Sequence, residues 1–241
     1  MKLKRKQGIY EKYIKRVLDI ICSLIFIIGF SWLYLILAIL VKIKMGSPVI
    51  FKQPRPGIVK NGKETIFDMF KFRSMTDERA ENGEFLPDHQ RLSSFGAKLR
   101  STSLDELPEV FSILKGDMSV VGPRPQLVRD MVFMTERQRM RHTAKPGLTG
   151  LAQVKGRNAI TWEEKLEWDL KYIEKVSFFG DVKILLATVA AVLKRDGITD
   201  GENVTALDYG DALLKARKVT KSQYDTLQAQ ARNLIEGHNK K

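Results

Sequence analysis

The sequence predicts an α+β fold that is mainly helical, with an N-terminal membrane helix, one small β-hairpin and amphipathic helices that include interfacial ones. Three observations predict it. The block Val17 to Val41 is apolar apart from Asp19, about the length that spans a bilayer's hydrocarbon. Asn61-Gly62 lies between two extended runs and is a strong hairpin signal. From residue 104 onward, apolar residues recur at three- and four-residue spacing, as on one face of a helix.

The 241 residues hold one packed domain plus attachments. The expected division is a membrane anchor over 1–45, a catalytic unit over 46–196 and a C-terminal extension over 197–241. A net charge of +13 asks for an anionic partner: nucleic acid, a membrane face or phosphorylated substrates. No groove-reading motif or aromatic platform accompanies the basic residues, so no nucleic acid is expected. A non-catalytic scaffold on anionic lipid would carry the same helices but has no use for paired acids near fixed arginines. The single cysteine, Cys22, excludes an internal disulfide. His89, His142 and His238 are scattered, and no zinc spacing is present.

The apolar block is basic on both flanks: Lys12, Lys15 and Arg16 precede it, and Lys42 and Lys44 follow. Basic residues favour the cytoplasmic side. A helix that enters and returns to one leaflet satisfies both flanks, with Gly29 and Ser31 at the bend; a plain spanning helix is the other reading. Asp19, costly in lipid, is expected at the interface beside Lys15 or Arg16. Gly46 to Pro48 ends the helix. Val49 to Phe51 forms a short strand, Pro54, Pro56 and Gly57 a rigid turn region, and Thr65 to Phe72 the return strand, with Phe67, Met69, Lys71 and Arg73 on one face. Thr76 to Ser94 reads as a surface loop.

Arg100 to Pro125 is the stretch around which the chain is organised. Ser103-Leu104-Asp105-Glu106 fits a capping box, which explains both acids as the start of a helix. Pro108 argues instead for a helix that begins there and leaves the acids on the preceding turn. Gly116 is a helix cap, and Met118 to Val121 is extended. Prolines on both sides hold Arg124 extended, which suits a fixed anion. Residues 126–143 read as helical and basic, and 145–150 as a loop. Trp162 to Val176 and Asp181 to Arg195 are helices, the second lying on a membrane surface or in the core. Gly197 to Gly210 is a linker, and Thr220 or Ser222 caps the last of two modest amphipathic helices.

Taken together, Lys15-Arg16 with Asp19, PVIFKQPRPG at 48–57, FDMFKFRSM at 67–75, RSTSLDELP at 100–108, LKGDMSVVGPRP at 114–125 and KPGLTGLAQVKGRN at 145–158 resemble the small monotopic phosphoglycosyl transferases of bacteria. The resemblance implies transfer of a sugar-1-phosphate from a UDP-sugar to undecaprenyl phosphate at the cytoplasmic face of the inner membrane. It implies Asp105 as nucleophile, Glu106 as its partner, and Mg²⁺ as the metal, held by Asp105 and Glu106. Lys71, Arg100 and Arg124 fall on the phosphate-binding positions, and Arg157 and Asn158 near the nucleotide or sugar. Ser31-Trp32 departs from the Ser-Pro pair usual at the bend, and Ser112 replaces a common asparagine. The sugar and the oligomeric state are not specified by the sequence.

Overall fold

A computed structural model describes residues 5–83, 85–156, 160–194 and 207–240. The chain opens with a π-helical turn, Tyr10–Ile14, that runs into α1, Lys15–Gly29; α2, Ser31–Met45, follows. The two arms are bent by 65° around Phe30, whose ψ of 15° leaves the helical region. Ser31 Oγ donates to the Ile28 carbonyl at 2.9 Å and satisfies a group that the break exposes. The expected break at Gly29 and Ser31 is therefore present without a proline. Among the described residues no single helix is long and apolar enough to cross a membrane, but the bent pair passes that test together. Val17, Ile21, Ile25, Ile28, Leu35, Ile39 and Ile43 point outward and are exposed.

The inner face of α1 is polar near its start, and here the expected pairing of Asp19 is corrected. Asp19 accepts from Ser119 Oγ at 3.0 Å and from the Val120 amide at 2.9 Å. Lys15 instead pairs with Asp181. Arg16 donates to the carbonyls of Ile113 and Leu114 at 2.6 and 2.7 Å. All these partners lie at least 97 residues away in the chain, beyond the reach of local pattern. Further along, Leu37, Val41 and Met45 of α2 pack with Phe72 and Leu99.

Strands β1, Ile50–Lys60, and β2, Lys63–Phe72, form the antiparallel hairpin. Asn61 and Gly62 both have positive φ, as a tight hairpin turn demands. Pro54 and Pro56 lie inside β1, opposite Asp68 and Ile66, rather than in a turn region. A two-stranded sheet leaves each strand one free edge, where proline's missing N–H costs no ladder bond. The register slips between Pro56 and Val59. Phe67 and Met69 face Ile113 and Met118. Arg73, expected on the same face as Lys71, turns back to cap α2, donating to the carbonyls of Met45 and Ser47.

Beyond the hairpin, the 76–94 stretch is mostly loop, with the short α3, Asp88–Arg91; α4, Ser94–Ser101, leads to the acidic turn. Helix α5, Glu109–Lys115, ends at Gly116 with φ 100°. Strand β3, Ser119–Val121, pairs in parallel with β4, Gly147–Thr149, so the segment expected as a loop contributes a strand. A Cβ at Gly122 would lie 2.3 Å from the Lys145 carbonyl, and one at Gly147 2.1 Å from the Gly122 amide; only glycine permits this approach.

The expected helix over 126–143 is broken into α6, Val128–Met131, α7, Glu136–Arg139, and a 3-10 turn, Met140–Thr143. Thr135 and Gln138 form a capping box that restarts the chain at α7. Then come α8, Leu151–Gly156, α9, Trp162–Glu174, and α10, Phe178–Leu193. Helix α10 buries Asp181 and Ile184 but leaves Phe179, Leu186, Val189, Val192 and Leu193 exposed, which rules out burial of that face in the core. Helices α11, Tyr209–Lys215, and α12, Lys221–Asn239, close the chain, with Thr220 as the cap of α12. Tyr209 joins Phe133, Met134 and Leu166 in one cluster, Ala231 joins Val128 and Met131 in another, and His238 reaches Asp68 at 3.0 Å.

Candidate active site

The acids sit where Pro108 places them. Leu104–Glu106 is a single 3-10 turn, and α5 begins only at Glu109. Ser103 caps nothing: its backbone is left-handed, with φ 56°, and its side chain makes no capping bond, so the expected capping box is absent. A non-glycine residue in that conformation stores strain next to the paired carboxylates. Leu104 and Leu107 pack against the cluster formed by Leu37, Val41 and Met45, and the Tyr34 hydroxyl donates to the Leu107 carbonyl at 2.8 Å. The acidic turn thus rests directly on α2.

Lys71, near the end of β2, reaches over this turn. Its ammonium lies 2.7 Å from Glu106 Oε1 and 3.3 Å from Glu109 Oε1. Arg124 also donates to Glu106, through both terminal nitrogens. Burial opposes ionisation of Glu106, yet Arg124 and Lys71 together hold its carboxyl far below the usual range. Glu106 is a permanent anion that locks two cations in place.

Asp105 differs in kind. It is buried, at 7% exposure, and its carboxylate makes no hydrogen bond or ion pair among the described residues. Burial pushes its carboxyl up; Lys71 opposes, the charge of Glu106 adds to the rise, and Arg100 and Arg124 oppose it again. Arg100 acts from α4, its Nε fixed on Ser74 Oγ at 2.9 Å. Five of the expected residues, Lys71, Arg100, Asp105, Glu106 and Arg124, therefore share one cluster. Arg157 and Asn158 lie outside the described residues.

Two residues of the cluster carried no expected role. Glu109 is fully buried, and its carboxyl is pushed up by burial and by Glu106. Arg55 donates to the Pro125 carbonyl at 3.1 Å and to Gln53 Oε1 at 2.6 Å. Burial and the neighbouring Arg124 lower its guanidinium to about 10. The sequence held a signal for it: Pro-Arg-Pro occurs twice, at 54–56 and 123–125, and the two copies meet here. With Arg55, four cations share this region with Asp105, Glu106 and Glu109, and Asp130 acts on Arg55 as well.

The sequence profile of the family described as bacterial sugar transferase matches residues 10–195, which contain every element of this cluster. The chain belongs to that family. Three relatives illustrate the kinship of this sugar transferase. It is 47% identical over 193 residues to an uncharacterized sugar transferase, EpsL, of Bacillus subtilis, covering 80% of this chain and 94% of the relative. It is 36% identical to the undecaprenyl-phosphate galactose phosphotransferase of Salmonella typhimurium, covering 78% of this chain and 42% of the relative. It is 40% identical to the UDP-glucose:undecaprenyl-phosphate glucose-1-phosphate transferase of Klebsiella pneumoniae, covering 73% and 39%. The chain thus spans nearly all of the first relative and about two-fifths of the other two.

Among the described residues no group of three or more metal-ligating side chains is present in this sugar transferase. Mg²⁺ is bound by one or two carboxylates, with water and substrate phosphates completing its shell. The unpartnered carboxylate of Asp105 beside the anionic Glu106 fits such a set.

Proposed function

We propose that this sugar transferase moves a sugar-1-phosphate from a UDP-sugar to undecaprenyl phosphate, in two steps through Asp105. The observation that carries the reading is the contrast within the pair: Glu106 is consumed by Lys71 and Arg124, whereas Asp105, among the same cations, is left without a partner. A carboxylate needs no base to act as a nucleophile. What it needs is relief from repulsion by a diphosphate, and Lys71, Arg100 and Arg124 supply it.

In the first step an Asp105 oxygen forms a bond to the β-phosphorus of the UDP-sugar. The bond from that phosphorus to the bridging oxygen breaks, and UMP leaves with the electron pair. In the second step a phosphate oxygen of undecaprenyl phosphate attacks the same phosphorus, the bond to Asp105 breaks, and the carboxylate is regenerated. Mg²⁺ would be held by Asp105, since Lys71 and Arg124 engage Glu106, and would supply charge neutralisation at the phosphates. The rigid Arg124 binds phosphate at the site, and the locked Lys71 orients it.

The acceptor is a membrane lipid, and the acidic turn rests on α2. We place the bent α1–α2 pair as a re-entrant anchor in the bacterial cytoplasmic membrane. The exposed face of α10 lies on the same leaflet, and the catalytic body on the cytoplasmic side. The test is a panel of UDP-hexoses and UDP-N-acetylhexosamines offered with undecaprenyl phosphate and Mg²⁺ to the membrane-reconstituted protein. UMP release with one of them, dependent on Asp105, is the expected result. No UMP from any member overturns the proposal. Labelling of a cysteine placed at residue 6 tests the topology: access only from the periplasm refutes the re-entrant anchor.

A further inference from the structure

Arg141 has no part in the chemistry above, yet it is the largest fully buried side chain described, at 1% exposure. It lies on the 3-10 turn before β4. Its Nε and Nη2 donate to Asp169 Oδ2 at 2.9 and 2.6 Å, and Asp169 on α9 is itself 1% exposed. Nη2 donates a second time, to the main-chain carbonyl of Arg124 at 2.6 Å. Nη1 lies 3.2 Å from His142 Nε2. A guanidinium only donates, so Nε2 is the acceptor and Nδ1 carries the hydrogen, which faces Glu64 Oε1 at 3.4 Å. Burial supports this neutral tautomer by lowering His142 to about 4.

The consequence falls on the turn that carries Arg124. Three successive carbonyls of that turn are held by distant donors. The Gly147 amide takes Pro123 at 3.0 Å, Arg141 takes Arg124, and Arg55 takes Pro125 at 3.1 Å. Prolines on either side restrict the torsions around Arg124. Within the extended range that Pro125 leaves to Arg124, Arg141 holds the carbonyl in one orientation. We infer that Arg141 is a positioning residue, which aims Arg124 at the substrate phosphates by gripping its main-chain carbonyl while Asp169 holds Arg141 in place. This rests on the phosphate-binding role proposed for Arg124. A lysine at 141 keeps the charge beside Asp169 but has one nitrogen on a flexible stem, and cannot serve Asp169 and the carbonyl in the same fixed geometry.

The test is a double-mutant cycle on the full chain in detergent, with Arg141→Lys, Arg124→Ala and the double variant. The readouts are the dissociation constant of UDP in Mg²⁺ and the rate of UMP release. Arg141→Lys alone is expected to weaken UDP binding and slow UMP release by about 10- to 100-fold, as small misplacements of binding groups do. In the Arg124→Ala background the same change is expected to alter UDP binding by less than about twofold, because nothing is left to aim. A purely structural Arg141 would give the full loss in both backgrounds; that result, or wild-type behaviour of Arg141→Lys, overturns the inference. Should Arg141→Lys fail to fold, Asp169→Asn, which loosens the anchor and keeps the guanidinium, takes its place under the same two criteria. If Arg124→Ala alone leaves UDP binding and UMP release intact, the role of Arg124 fails, an outcome separate from additivity in the cycle.

Discussion

Replacing Asp105 with asparagine has two expected effects of opposite sign. The side chain keeps its shape and loses its charge. If Asp105 is the nucleophile, UMP release falls by about 10³-fold or more, the scale seen when a covalent nucleophile is removed. Stability should rise. The carboxylate is buried, at 7% exposure, with no partner among the described residues, and burial outweighs the surrounding cations in its titration. A wholly buried unsatisfied group costs roughly 1–3 kcal/mol, and the Asp105 oxygens are not wholly shut off from water. Lys71, Arg100 and Arg124 offset part of that, so about 1 kcal/mol is recoverable, or roughly 2–4 °C in melting temperature for a chain of this size. The pH dependence fixes the cause. A carboxyl that titrates above its ordinary range binds its proton more tightly in the folded protein, so the wild type loses stability as pH rises through that range. The stabilisation of Asp105→Asn should therefore be largest near neutral pH and vanish below 3.8, the ordinary value. Thermal unfolding followed by circular dichroism, in EDTA and without substrate, measures it. A melting temperature that drops at pH 7 would refute the reasoning, because it would make Asp105 a structural anchor.

Glu106→Gln removes the shared anchor of Lys71 and Arg124 and should cost about 1.5–3 kcal/mol at pH 7, the worth of hydrogen bonds to charged groups; an unchanged unfolding midpoint in denaturant would contradict it. His142, lowered to about 4 by burial, is neutral in the fold. Its contribution to stability is complete above its ordinary 6.5 and is lost as pH falls toward 4, by up to about 1.4 kcal/mol per pH unit. Unfolding curves of wild type and His142→Gln should diverge in slope across that window, and parallel curves would count against it. Tyr209→Ala opens a hole beside Phe133, Met134 and Leu166 and should destabilise by about 3 kcal/mol; the denaturation midpoint reports it, and a neutral substitution would mean that this cluster contributes little.

Local chemistry made much of this fold legible. Asn61-Gly62, the Gly116 cap, the Thr220 cap and the body of α9 each depend on a few adjacent residues, and each lies where its residues indicate. The missed features are non-local. Asp19 binds Ser119 and Val120, a hundred positions away. Strand β4 and its pairing with β3, which lies where the extended piece was expected, depend on glycine contacts that carry no periodicity. Prolines in β1 read as turn residues because nothing local tells that the sheet has only two strands. In the site, the resemblance supplied residue types, and the structure added their division of labour: Glu106 locked, Asp105 unpartnered, and Glu109 and Arg55 drawn in by burial. Ser103 was misread because a capping box and a left-handed turn share the same letters.

The docked C-terminal helices carry a practical consequence. The family match ends at residue 195, yet α11 and α12 cover Val128, Met131, Phe133 and Met134 on the body that bears Arg124. A gene trimmed to the family's limits would bare those side chains to solvent. Its product would be prone to aggregate, and a screen would record an inactive enzyme where the fault was a missing cover. For this chain, the unit of folding extends past the family match.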